Sequence, residues 1–65
     1  MKIKNVNELN GFKVGDTVKR RMFSGTYTIE EIYANGAVAL SQPITDANPG
    51  LVRMYWDNLA NIIAA

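Results

Sequence analysis

Sixty-five residues with no cysteine and no histidine leave room for one domain and no second core. Disulfides and a Cys/His zinc site are excluded as stabilisers, so a thin margin has to come from a well-packed β core or from apolar surface buried between copies. The net charge of +1 hides an asymmetry: residues 1–21 carry Lys2, Lys4, Lys13, Lys19, Arg20 and Arg21 against Glu8 and Asp16, whereas residues 22–65 carry Arg53 against Glu30, Glu31, Asp46 and Asp57.

The N-terminal segment has two readings. Ile3, Val6 and Leu9 recur every three residues, with Asn5 as a cap and Gly11 as a stop, which suits a short helical turn at about 6–9. A frayed arm over residues 1–10 is the alternative. Val6-Asn7-Glu8 follows Lys2 and Lys4 where a secretory signal needs an apolar run. The longest uncharged stretch, Ile32 to Thr45, has only 14 residues and contains Asn35, Ser41, Gln42 and Pro43, so no membrane span is expected. Together with the absence of cysteine this reads as a cytoplasmic protein.

From Gly11 onward the pattern is that of short strands. Gly15-Asp16 marks a turn, and Thr17 to Met22 reads as a strand with Val14, Val18 and Met22 or Phe23 facing inward. Ser24-Gly25 breaks it. Thr26 to Ala34 is rich in β-branched and aromatic residues. Tyr27 and Ile29 share a face, but Ile32 is out of phase, and a β-bulge at Glu30-Glu31 restores it to the core. Asn35-Gly36 predicts a type I′ hairpin, because both central residues need positive φ. Ala37 to Leu40 then turns Val38 and Leu40 inward. Residues 41–50 form a long loop with Pro43 and an Asn48-Pro49-Gly50 turn. A fourth strand spans Leu51 to Trp56. Asp57 to Ala60 reads as a helical turn capped by Asp57, and Asn61 to Ile63 as a last strand.

Val14-Gly15-Asp16-Thr17-Val18, Gly25-x-Tyr27, Asn35-Gly36 and Leu59-x-x-Ile62 occur in an order that resembles SH3-like barrels. The resemblance covers roughly residues 12–63. The fold expected is mostly β: one SH3-like domain over residues 1–65, with a five-stranded barrel at 11–63 and one short helical turn before the last strand.

Without His or Cys, the commonest general base, thiol nucleophile and metal ligands are missing. The six acids show no paired spacing, and no Gly-rich phosphate loop is present. No catalytic residue, cofactor or metal is expected. Two surfaces are candidates for binding. One is basic: Lys13, Lys19, Arg20 and Arg21 suit phosphate contacts of the kind made by KOW and Tudor-like modules, or simply keep an edge strand soluble. The other is the fourth strand, where alternation cannot bury every apolar residue. With Val52 and Met54 inward, Leu51, Arg53 and Tyr55 face out and Trp56 sits at the end, a composition suited to protein contacts. A loop or the N-terminal arm covering that patch is the other reading.

Gly15-Asp16-Thr17-Val18-Lys19-Arg20 and Pro49-Gly50-Leu51-Val52-Arg53-Met54-Tyr55, followed by Leu59, also resemble the plasmid-borne type II dihydrofolate reductases. The resemblance implies an SH3-like barrel in a four-chain pore enzyme that binds folate and NADPH. Matched by position, Arg20 stands where that family has Lys, Arg53 where it has Gln, and Met54 where it has Ile, while Tyr55 is retained. Four Arg53 side chains would repel in one pore. The function expected is therefore a non-catalytic module, with a protein partner or its own copies held through Leu51, Arg53, Tyr55 and Trp56. Nucleic-acid binding is the first alternative and the reductase the second.

Overall fold

The computed structural model describes residues 3–45, 47–48 and 50–65. Lys2, Asp46 and Pro49, which entered the charge and turn expectations, lie outside the described residues. Among these residues eight strands follow in chain order: β1 (Asn5–Val6), β2 (Glu8–Leu9), β3 (Phe12–Lys13), β4 (Thr17–Arg20), β5 (Tyr27–Tyr33), β6 (Ala37–Pro43), β7 (Val52–Asn58) and β8 (Ile62–Ala64). The only helical segment among them is a 3₁₀ turn at Leu59–Asn61. The protein is mostly β, as its β-branched and aromatic runs dictate.

β5 is the hub. Its first half pairs with β4, its second half with β1, and its other edge with β6 along most of its length. The main sheet runs β7-β6-β5-β4-β8, with β1 added beside β5, and β2-β3 is a separate hairpin. The end strands β7 and β8 do not pair with each other, so this sheet is open. The expected bulge is present. Ile29 faces Leu40 and Glu31 faces Ala39, which leaves Glu30 as the extra residue. It lets Ile29 and Ile32, three apart, both point into the core, where neither has exposed surface. Val18, Tyr27, Val38, Leu40, Leu59 and Ile62 complete the core.

The N-terminal expectation is corrected. Over residues 3–10 neither a helical turn nor a frayed arm forms. Asn5 and Val6 pair with Tyr33 and Ile32, and Ala34 N–H donates to the Lys4 carbonyl at 2.8 Å. Leu9 and Phe12 then close a two-residue hairpin around Asn10 (φ +54°) and Gly11 (φ +86°). The type I′ geometry expected at Asn35-Gly36 is therefore found at Asn10-Gly11. At the later site only Gly36 has positive φ (+95°), and its N–H donates to the Tyr33 carbonyl at 2.9 Å. That is a three-residue loop, a type I turn followed by a left-handed glycine.

Other corrections concern ends and facing. β4 stops at Arg20, and Met22 is fully exposed at φ +66°, so it does not face inward. Phe23 and Val14 are also exposed. β6 continues through Ser41, Gln42 and Pro43, which shortens the expected loop. The cap of the 3₁₀ turn is Asn58, whose Oδ1 accepts from Ala60 N–H at 2.9 Å, and not Asp57. No helix is long and apolar enough to cross a membrane among the described residues.

Candidate functional site

Which face of β7 reaches solvent is decided by two polar side chains. Side chains alternate along a strand, so Val52, Met54 and Trp56 share one face and Arg53, Tyr55 and Asp57 the other. Tyr55 is half-buried against the core and meets the Tyr27 ring edge-on, with centroids 5.4 Å apart. Asp57 Oδ2 accepts from Arg20 Nε at 2.7 Å, and each of these side chains keeps only 9% of its surface exposed. The Arg20 guanidinium lies 4.0 Å from the Phe23 ring centroid and 5.2 Å from those of Tyr27 and Tyr55. Aromatic faces attract a cation, and they strengthen as water is excluded.

This cage inverts the expected phase of the strand. Val52 and Met54 are not inward and Tyr55 is not outward. Alternation within β7 is equally satisfied by either phase. A buried cation on β4, 37 residues away in sequence, selects the one that delivers a carboxylate and a tyrosine to it. The exposed apolar face is therefore Val52, Met54 and Trp56, extended at its start by Leu51. Met54 and Trp56 are 52% and 64% exposed. They flank small, buried partners on β6, with Met54 opposite Ser41 and Trp56 opposite Ala39. Trp56 also lies against Tyr33, at 5.7 Å between ring centroids. Among the described residues β7 pairs only with β6, so no strand of the chain pairs with its second edge there. Arg53 is exposed near the start of the strand.

The basic candidates do not assemble into one stripe. Arg20 turns into the cage, where its Nε is paired with Asp57. Lys13 lies on the small hairpin opposite Glu8. Lys19 is exposed on β4 opposite Ile63 of β8. Arg21 follows the end of β4, where its N–H donates to the Asn61 carbonyl at 2.9 Å. Elsewhere on the sheet, Ser41 Oγ donates to Glu30 Oε2 at 2.6 Å. Tyr33 Oη donates to Glu31 at 2.8 Å; this bond, with burial and the carboxylate's charge, pushes the tyrosine pKa up. Among the described residues no group of three acids could hold a metal ion.

Burial alone would raise the Asp57 pKa. Hydrogen bonds from Arg20, the Asn58 backbone and Asn61, with the charge of Arg20, outweigh it and hold the carboxyl below its ordinary range. Burial likewise opposes the Arg20 charge, but Asp57 and Tyr27 keep its pKa raised. As pH falls, the unfolded chain takes up the Asp57 proton first. The contribution of this carboxylate is full above its unfolded value of about 4 and is lost as pH drops through the lower folded value. Urea midpoints should therefore stay level from about pH 5 to 8, where no histidine titrates, and fall below about pH 4. The double variant Arg20→Met/Asp57→Leu, which strands no charge, should lose much of that acid dependence; an unchanged profile would contradict this role.

A comparison with family models, curated proteins and solved structures finds no match for this chain.

Proposed function

We propose that this chain is a non-catalytic protein-binding module of SH3-like barrel type, and that its β7 strand binds a second copy of the same chain. The observation that carries the reading is an edge strand paired on one side only, whose outward side chains are Val52, Met54 and Trp56. A long apolar edge is a template for strand pairing. In a small monomer it is a liability unless it is covered. The SH3-like part rests on the order β7-β6-β5-β4-β8, with a 3₁₀ turn linking the two end strands.

A two-fold axis makes the partner's contact the same patch as its own. Antiparallel pairing of two β7 strands about Tyr55 sets Met54 of each copy opposite Trp56 of the other. Sulfur–aromatic contacts and cross-strand pairs of this kind each add roughly 0.3–1 kcal/mol. Backbone bonds along the strand supply the rest. Leu51 and Arg53 border the patch, and Tyr55 supports it from below.

The test is solution mass with a folded variant. Trp56→Lys places a charge on the exposed face and leaves the core untouched. The parent is expected to run as a dimer by light scattering and Trp56→Lys as a monomer with an unchanged far-UV spectrum. A monomeric parent at millimolar concentration sinks the self-association reading. A tetramer that oxidises NADPH with dihydrofolate would instead favour the reductase resemblance. A salt-sensitive complex with nucleic acid, lost in Lys19→Gln, would favour the basic-face alternative that remains at Lys13, Lys19 and Arg21.

A further inference from the structure

A concavity of about 610 Å³ opens beside the Arg20 cage, away from the outward face of β7. Arg20, Arg21, Asp57 and Asn61 supply its polar lining, and Met22, Phe23 and Ile63 its apolar walls. The Arg20 guanidinium belongs to this lining. Nε is committed to Asp57, while the Nη end meets no carboxylate among the described residues. The side chain is nine-tenths buried, so it cannot swing out to find a partner in bulk water. Its orientation is fixed by Asp57 and by the rings of Phe23, Tyr27 and Tyr55. A guanidinium held in this way is a pre-organised fork for a planar anion, with little rotamer freedom left to lose. Arg21 adds a second positive charge, and against Asp57 the lining keeps a net charge of +1.

We infer that this concavity is a binding site for a carboxylate carried on a short aliphatic group. The carboxylate takes the Nη end of Arg20 and the Arg21 side chain, and the aliphatic part rests on Phe23, Met22 and Ile63. Phosphate fits less well, because the walls are apolar and the Asp57 carboxylate in the lining repels a doubly charged anion more than a singly charged one. The same chemistry belongs to a small aliphatic acid and to the C-terminal residue of a peptide, and the experiment separates them.

The probes are 4-methylpentanoate and acetyl-glycyl-leucine, each compared with its neutral C-terminal amide in ¹⁵N-detected titrations of the full chain. The acids are expected to shift the Arg20 Nε signal and the amides of Arg21 to Phe23 and Asn61 to Ile63 saturably, and the neutral amides are not. Equal affinities for the two acids indicate a small-acid site, and tighter binding of the dipeptide indicates a peptide terminus. Arg21→Gln, at an exposed position outside the core, should weaken both acids roughly tenfold, the scale of one charge-assisted hydrogen bond. Identical shifts from acid and amide, or an Arg20 signal that does not move, overturn the assignment. Loss of binding in Phe23→Ala without a change in Arg21→Gln also overturns it, since the site would then be merely apolar.

Discussion

Asp57→Ala is expected to leave the chain largely unfolded in water at 25 °C. Arg20 is buried among three aromatic rings and has one carboxylate partner among the described residues. Removing that partner strands a positive charge inside the protein. Breaking a buried pair in this way costs about 3–5 kcal/mol. A domain of this size rarely has more than about 3–5 kcal/mol to lose. Replacing both members, as Arg20→Met with Asp57→Leu, removes the stranded charge and fills similar volume, so the double variant should fold far better than Asp57→Ala. Urea titrations followed by circular dichroism measure both. If Asp57→Ala lies within about 1 kcal/mol of the parent, the ion pair is not what fixes β7 against β4.

Leu40→Ala should be nearly as damaging. Leu40 has no exposed surface and sits on β6 between Ile29 of β5 and Tyr55 of β7. Truncating a fully buried leucine costs about 2–5 kcal/mol, from lost transfer energy and the cavity left behind. Met54→Ala, on the opposite face of the neighbouring strand, should change monomer stability by no more than about 0.5 kcal/mol. The contrast tests the phase of β7 directly. If Met54→Ala unfolds the domain and Tyr55→Ala does not, then the phase is the one alternation first suggested and the Arg20 cage is wrong.

What the sequence made legible were the features set by one segment's own chemistry. Glu30 had to be an extra residue because Ile29 and Ile32 cannot both reach a core at a strict period of two, and the bulge is where that mismatch put it. The breaks at Gly15 and Gly25 and the turn before Ile62 follow from residues that bend a chain locally. Features that depend on a distant partner were not legible. The N-terminal residues look helical by spacing, but at this length an isolated turn is weak, and the free edge of β5 beyond its pairing with β4 captures Asn5 and Val6 as a strand. Asn10-Gly11 and Asn35-Gly36 are the same dipeptide, yet only Asn10-Gly11 connects strands at a two-residue distance, whereas Ala34 joins Asn35-Gly36 to make a three-residue loop.

The same distinction explains the candidate site. That strand four exposes more apolar surface than it hides was readable from composition, and Leu51 stands exposed as expected; Trp56 is exposed too, but within β7, which runs on to Asn58, and not at its end. Tyr55 faces inward, opposite to the expected phase, because its partner is Tyr27 and its neighbour is a buried arginine, and neither is visible along β7 itself. Within Lys19-Arg20-Arg21, alternation alone sends Arg20 to the opposite face from Lys19; the Asp57 that receives it there, 37 residues on, is not visible along β4.

Light scattering on the parent chain and on Trp56→Lys tests the central claim most directly. The account predicts twice the chain mass for the parent, the single-chain mass for Trp56→Lys, and matching far-UV spectra. A parent that stays at the single-chain mass across the concentration range, or a folded Trp56→Lys that remains a dimer, would contradict self-association through β7.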